Sequence, residues 1–262
     1  MKETTAQSLY LKKLKNQKYQ IHSLRILLFL GFLALWETAA DLGWIDSFIF
    51  SSPSGIAKTF YTMCQSQSLL SHIGITVAET ALSFLLVLVF SVLFAVLLWV
   101  FPKFAAVMEP YMVVLNSLPK SALAPLLIVW LGANMKTIIV AGMSVAIFGS
   151  IISLNAGFHA VDPDMLKLIH TLGGDKKDCL LKVVLPSSVP YLLSTFKVNI
   201  GLCLVGVVIG EFIGARSGLG YLIIYGSQVF KLNLVIMSIV ILCIIATLPY
   251  GLLNIIEKKF RY

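Results

Sequence analysis

The chain has 262 residues, of which 58% are hydrophobic and only 12% are charged. A soluble domain carries about 25% charged residues, so this composition argues against a secreted enzyme, a disordered chain or a nucleic-acid module. The net charge is +8, and the four cysteines form no CxxC pair, which indicates neither a disulfide framework nor a zinc site. We therefore expect an all-α integral membrane protein.

Six apolar segments are long enough to cross a bilayer, which takes about 20 residues as a helix. They run over residues 25–44, 73–100, 104–132, 137–158, 191–213 and 232–256. The third contains Pro119 and Pro125 and is expected to be kinked or broken. The first could instead be a signal peptide, but its long basic lead-in and poor cleavage site favour a span.

Lysine and arginine are distributed unevenly between the two sides of these spans. If the N-terminus is cytoplasmic, the outside segments hold only Lys58, Lys136, Arg216 and Lys231. The positive-inside rule then predicts that both termini face the cytoplasm. Residues 1–24 form a basic cytoplasmic segment and residues 25–262 a transmembrane domain. The excess positive charge follows topology and acidic lipid rather than nucleic acid.

The longest inside segment, residues 159–190, carries signals for two short helices. Asp162 is an N-cap for the first helix, and Gly173-Gly174 ends it. Asp175 is an N-cap for the second helix. From periodicity alone, the segment is either an interfacial connector or an element that docks into a cytoplasmic protein.

This segment resembles the EAA loop of ABC-importer permeases, in which Glu-Ala-Ala precedes a glycine and a later Ile-x-Leu-Pro. Here Gly173 is followed, after nine residues, by Val183-Val184-Leu185-Pro186, and Lys167-Leu168-Ile169 replaces Glu-Ala-Ala. Further stretches resemble the nitrate/sulfonate/taurine subfamily of these permeases. They are Ser52-Pro53-Ser54, residues 118–126, Trp130-Leu131-Gly132, Gly210-Glu211-Phe212 and residues 217–221. The resemblance covers roughly residues 50–256.

The resemblance implies a type I ABC-importer permease fold in the bacterial cytoplasmic membrane, with alternating access to the solute pathway. It implies two permease copies, as a homodimer, in contact with membrane lipid. Two cytoplasmic ATP-binding subunits would dock on the EAA loops and bind ATP-Mg, while an extracytoplasmic binding protein or lipoprotein would deliver the solute. The chain itself would bind no cofactor, and it contains no GxxxxGK[ST] phosphate loop.

The solutes implied are a sulfonate, taurine, nitrate, or a pyrimidine or vitamin precursor, and the sequence does not choose among them. A heterodimer with a second permease is an open alternative to the homodimer. An ATP-independent secondary transporter is the alternative function. The two halves of the chain show no repeat in hydropathy that would support it, and it would leave the inside loop unexplained.

The resemblance assigns coupling to the ATPase to one set of loop residues. These are Lys167, Ile169, His170, Leu172, Gly173, Gly174, Asp175, Leu185 and Pro186. No catalytic constellation is evident, and the four histidines show no metal-ligand spacing.

Ionisable residues at membrane depth and glycines near a span end are the candidates for the pathway and its gate. These candidates are Lys120, Glu79, Glu211, Gly218 and Gly220. Lys120 either attracts an anionic group in the pathway or pairs with Glu37, Glu79 or Glu109. Glu211 is either a gate residue or merely interfacial. The two glycines indicate a tight turn or a re-entrant loop.

Small residues recur every four positions in the fourth and fifth spans. They are Gly142, Ala146 and Ser150 in the fourth, and Gly206, Gly210 and Gly214 in the fifth. Such spacing lets helix backbones approach closely. We favour static packing for these residues over a surface that slides during the transport cycle.

Overall fold

The computed structural model describes residues 5–260, and the side chains within residues 8–251 except those of residues 9, 248 and 250. The described backbone is helical, and it contains no strand. In chain order the helices are α1 Thr5–Asp41, α2 Ser47–Phe50, α3 Pro53–Gln65, α4 Ser68–Val100, α5 Pro102–Ser117, α6 Lys120–Leu131, α7 Met135–His159, α8 Pro163–Thr171, α9 Lys176–Cys179, α10 Leu185–Ser187, α11 Val189–Gly214, α12 Leu219–Gln228 and α13 Leu232–Phe260.

Four of the described helices are long and apolar enough to cross a membrane. They are Tyr10–Asp41 within α1, then α4, α7 and α11. A fifth span results if α5 and α6 count as one, and the apolar part of α13, Leu232–Thr247, is shorter. The all-α prediction is confirmed among residues 5–260.

The predicted break in the third span is present and lies between α5 and α6. The two helices are bent by 95°. Leu118 and Pro119 both have extended backbone dihedrals at the junction, as expected because proline disfavours helical geometry in the residue before it. Pro125, by contrast, lies inside α6.

The core of the molecule is formed by α4, α7 and α11. The two stripes of small residues meet where α7 crosses α11: a Cβ at Gly206 would lie 2.8 Å from the Ala141 carbonyl oxygen and 2.8 Å from the Gly142 Cα. The Ser150 hydroxyl, on the same face of α7, donates a 2.8 Å hydrogen bond to Asn199 Oδ1 on α11. Close backbone approach here therefore depends on the absence of side chains.

Helix α1 contacts the rest of the chain mainly near its C-terminal end, where it meets α2 and α3. Glu37 Oε2 accepts a 3.0 Å hydrogen bond from the Ser54 N–H in the first turn of α3. The helix is continuous across residue 24, so the predicted basic segment and the predicted first span lie on one helix.

A second core lies where α12 and α13 pack beside the start of α4. It consists of the buried side chains Leu69, Leu219, Leu222, Leu234, Met237 and Ile241. The ten-residue helix α12 follows Gly218, in the segment whose glycines indicated a tight turn or a re-entrant loop. The sequence missed it because its apolar stretch is too short to be counted as a span.

Candidate functional site

The long inside loop contains the two capped helices that the sequence predicted. Asp162 Oδ1 accepts a 2.9 Å hydrogen bond from the Asp164 N–H and begins α8. On α8 and its C-cap, the side chains of Met165, Leu168 and Leu172 are 51%, 58% and 75% exposed. Large apolar side chains at helical spacing and so exposed form a surface that lacks a partner within the described chain.

A glycine turn joins α8 to α9. Gly173 has φ +81°, a conformation that side chains disfavour. Its N–H donates to the His170 carbonyl at 3.0 Å, and the Gly174 N–H donates to the Ile169 carbonyl at 2.9 Å. This pair of bonds is the Schellman helix ending, and it fixes the angle at which the chain leaves α8.

The start of α9 is a capping box. Asp175 Oδ1 accepts a 2.8 Å hydrogen bond from the Asp178 N–H, and Asp178 Oδ2 accepts a 3.2 Å bond from the Asp175 N–H. Lys182 lies 2.6 Å from the Asp178 carboxylate. Its hydrogen bond, with that of the Asp175 backbone, holds the pKa of the Asp178 carboxyl below its ordinary value. The stabilisation that this charge gives is present at neutral pH and is lost only as the pH falls through the lowered pKa.

The second helix differs from the prediction after its first turn. Residues Leu180–Val184 form a π-helical turn, and Pro186 lies within the three-residue helix α10, Leu185–Ser187. Leu180 and Val184 are buried in a cluster that includes Ala95 of α4 and Phe158 of α7. The loop is therefore packed firmly against the ends of two core helices.

Lys176 makes a second connection between the loop and α4, and the sequence did not single it out. Its Nζ donates a 2.5 Å hydrogen bond to the carbonyl oxygen of Val100, the last residue of α4. The same ammonium lies 5.8 Å from the centroid of the Trp99 ring. A cation at a helix C-terminus interacts favourably with the unpaired carbonyls there.

The remaining predicted coupling residues lie on the surface of the same loop. Lys167 Nζ forms an exposed ion pair with Asp164 at 2.8 Å. His170 has ring nitrogens 3.2 Å from the Gly174 carbonyl oxygen and 3.7 Å from Cys179 Sγ. The two His170 contacts hold α8 against the glycine turn and the start of α9.

Four of the five predicted pathway or gate residues are brought together at one buried site. Glu79 on α4 is 2% exposed and Glu211 on α11 is 0% exposed, and the two carboxyl groups lie against each other. Gly218 and Gly220 lie at the N-terminus of α12 beside Glu211. The Glu211 side chain is completely enclosed by protein, so it faces its neighbours on α4 and α12, and its depth in the membrane stays a prediction.

Two residues that the sequence analysis missed complete this carboxyl cluster. The Thr76 hydroxyl donates to Glu211 Oε1 at 2.6 Å and accepts from the Leu219 N–H at 2.8 Å. His72 Nδ1 accepts from the Gly218 N–H at 3.0 Å. His72, Thr76 and Glu79 recur at intervals of four and three, so their common helix face was a signal available in the sequence.

The two glycines leave room for the Glu211 carboxylate at the start of α12. The Gly220 N–H donates to Glu211 Oε2 at 2.5 Å. A Cβ at Gly220 would lie 2.7 Å from the same oxygen, and a Cβ at Gly218 would clash with the Glu211 carboxyl group. The first N–H groups of a helix have no partner within the helix, so they favour a negative charge at this position.

Lys120 lies apart from this cluster, at the start of α6. Its Nζ donates to the Leu115 carbonyl oxygen across the break between α5 and α6. The ammonium also lies 5.3 Å from the centroid of the Phe148 ring. The suggested pairing with Glu37, Glu79 or Glu109 is not found among the described residues, where the ion pairs are those within the inside loop.

Comparisons with known proteins agree with this architecture. The family model described as "Binding-protein-dependent transport system inner membrane component" matches residues 87–262. A probable ABC transporter permease protein of Haemophilus influenzae is 29% identical over 92% of this chain and 98% of its own length. A putative aliphatic sulfonates transport permease protein of Bacillus subtilis is 26% identical over 87% of this chain and 82% of its own length.

The fold is also found among solved structures. A chain of the inward-facing MetNI methionine ABC transporter superposes with a TM-score of 0.67 at 19% identity, covering 75% of this chain and 97% of that chain. The bundle of apolar helices and the long loop between α7 and α11 therefore belong to a fold that is known from an ABC transporter. The chain belongs to the binding-protein-dependent transport system inner membrane component family, and it is the non-catalytic permease subunit of an ABC importer.

Proposed function

We propose that two copies of this chain form the solute pathway of an ATP-driven importer, each with six spans and cytoplasmic termini. The spans are α1, α4, the bent pair α5–α6, α7, α11 and α13. The uneven distribution of lysine and arginine supports this orientation. In this topology the loop between α7 and α11 faces the cytoplasm, and the carboxyl cluster lies toward the outer surface.

The loop of residues 159–190 couples the pathway to a dimer of cytoplasmic ATP-binding subunits that bind ATP-Mg. The observation that carries this proposal is the exposed apolar face of α8 and its C-cap, formed by Met165, Leu168 and Leu172. The loop that carries this face is attached to α4 and α7 through the buried side chains of Leu180 and Val184. Movement of the ATPase would therefore be passed directly to the core helices.

The solute is proposed to be a small organic anion of the aliphatic sulfonate type, delivered by an outside binding protein or lipoprotein. The name of the Bacillus subtilis relative supports this class. Within the pathway, Lys120 remains the candidate for attracting an anionic group, since its ammonium is bound by a carbonyl and an aromatic ring instead of a carboxylate. The carboxyl cluster is the candidate outer gate, because it joins α4, α11 and α12.

The test of the function is solute uptake into vesicles. The vesicles contain this chain, purified together with the proteins that neighbouring genes encode. We expect uptake to require ATP in the vesicle lumen, which corresponds to the cytoplasm, and the binding protein outside the vesicles. It should also require equal amounts of permease and ATP-binding subunit. Uptake of the same solute by the permease alone, driven by an ion gradient, would favour the secondary transporter instead. No observation on the described residues favours that alternative.

Lys176 provides a prediction about how the loop acts on α4. Lys176→Met is expected to lower uptake by about two- to fivefold, the effect of losing one favourable charge at a helix C-terminus. The ATP-binding subunit should stay bound, because Lys176 lies outside the exposed face of α8. Uptake and ATP hydrolysis are measured on the same vesicles.

The matched variants for this experiment are Lys176→Arg and Lys177→Met. Arginine retains a cation within reach of the Val100 carbonyl and should restore most of the uptake. Lys177 is exposed on the neighbouring position of the same helix, and its loss should have little effect. Equal uptake in Lys176→Met and wild type would show that the contact with α4 plays no part in coupling.

A further inference from the structure

The carboxyl cluster holds two acidic side chains in contact at a site that water does not reach. Glu79 is 2% exposed and Glu211 is 0% exposed. The salt bridges among the described residues lie in the inside loop and do not reach this site. Two adjacent carboxylates without a cation cannot both keep a negative charge in such surroundings.

The hydrogen bonds around the two carboxyl groups differ, and this difference places the proton. Both oxygens of Glu211 accept hydrogen bonds from fixed donors, the Thr76 hydroxyl and the Gly220 N–H. Thr76 itself accepts from the Leu219 N–H, so its hydroxyl proton is committed to Glu211. Glu79, in contrast, has an Oε2 atom without any partner among the described residues.

We propose that Glu79 and Glu211 form a proton-binding site, in which a single proton resides on Glu79 and bridges it to the Glu211 carboxylate. The Glu79 hydroxyl is the donor and a Glu211 oxygen is the acceptor. A carboxylate can only accept hydrogen bonds, whereas a protonated carboxyl group can donate one through its O–H. The arrangement ties α4 to α11, and through Glu211 to the first turn of α12.

Loss of this proton places two negative charges against each other. Glu211 is held by the N-terminus of α12 and by Thr76, so the repulsion acts to separate α4 from α11 and α12. We therefore expect the contact to open as the pH rises. The site is a proton-dependent contact between helices at the proposed outer gate. Only its effect on transport rests on the proposed function.

The other titratable groups near the site do not supply the missing positive charge. On α4, His72 uses its Nδ1 lone pair to accept from the Gly218 N–H, so the ring is a neutral imidazole. On α12, Tyr221 stacks on His72 with ring centroids 6.1 Å apart. On α7, the residues nearest to this part of α11 are Ile138 and Ala141, which carry no charge.

The direct test is infrared spectroscopy of the complete complex in lipid nanodiscs over a series of pH values. The wild type is expected to show the carbonyl stretch of a protonated carboxylic acid at neutral pH, with a shift in heavy water and a loss at alkaline pH. Glu79→Gln should remove this band, and Glu109→Gln, at an exposed position on α5, should leave it intact. A band that persists in Glu79→Gln, or no band in the wild type, overturns the proposal.

Uptake measurements on the same variants test where the proton resides. Glu211→Gln should lower uptake at least about tenfold more than Glu79→Gln does, because an amide at residue 79 imitates the protonated acid. The Gln NH2 group at residue 211 would face a donor, either Thr76 or Gly220, at the distance of a hydrogen bond. Wild-type uptake should decline at alkaline pH, as the contact opens. This decline should be absent in Glu79→Gln.

Each adverse outcome counts against a specific part of the proposal. Equal losses in the two variants would contradict the placement of the proton on Glu79. Failure of Glu79→Gln to assemble would contradict it too, since a neutral group of the same shape would have replaced one proposed to be neutral. A complete set of spectroscopic results with no effect of pH on uptake would retain the proton site and refute its place in the gate.

Discussion

Gly206→Val is expected to prevent accumulation of the folded permease. The Cβ alone would lie 2.8 Å from the Ala141 carbonyl oxygen, from the Gly142 Cα and from a methyl group of Val145. Two of these three neighbours are backbone atoms of α7, which cannot move without separating the helices. Overpacking of this kind costs about 1–3 kcal/mol and more where backbone atoms are in the way, a large part of the stability of most proteins.

The measurement is size-exclusion chromatography of detergent-solubilised membranes, with and without prior heating. The control is Gly201→Val in the same helix, where an added Cβ would have nothing within 4 Å. Both variants carry the same β-branched residue, so any difference between them reports the α7–α11 contact and not helix propensity. Equal yields and equal melting temperatures for the two variants would show that the helices do not pack as described.

A double substitution in α8 and its C-cap, Leu168→Glu with Leu172→Glu, is expected to abolish both ATPase binding and uptake. The two side chains are 58% and 75% exposed, so the permease itself should fold normally. Burial of one leucine in an interface is worth about 1.5–3 kcal/mol. Loss of two, before the cost of burying their replacement charges, weakens binding by more than about a hundredfold.

The measurement is the amount of ATP-binding subunit that co-purifies with a tagged permease in mild detergent, normalised to permease. Lys177→Glu adds negative charge to the same loop outside the α8 face, and it should retain the subunit. Full recovery of the ATP-binding subunit with the doubly substituted permease would place the docking surface elsewhere on the chain.

The local structure of the inside loop could be predicted in detail. Its helix starts at Asp162 and Asp175 and its glycine turn at Gly173 are all confirmed. Such signals are local, because a capping side chain bonds to a backbone group only two or three residues away. The π-helical turn at Leu180–Val184 was not predicted, since it places side chains against α4 and α7, which lie far away in the sequence.

The carboxyl cluster shows why its members were found singly and not as a group. Charge at membrane depth or a permissive backbone indicates Glu79, Glu211, Gly218 and Gly220 one at a time. Nothing in the sequence indicates that Thr76 and Glu211, 135 residues apart, share a hydrogen bond. Their meeting depends on how α4, α11 and α12 pack, and that is a property of the whole bundle.

The apolar helical class, a kink or break in the third span, the capped helices of the loop and the stripes of small residues could all be predicted from the sequence. Each depends on composition or on spacing within a single helix, where the physical cause is local. Packing of the whole bundle was needed to show that residues 219–228 form α12, that Lys176 reaches the end of α4 and that Lys120 binds a carbonyl instead of a carboxylate. These contacts join distant parts of the chain, because burial of apolar surfaces and satisfaction of buried polar groups are settled only when all the helices pack together.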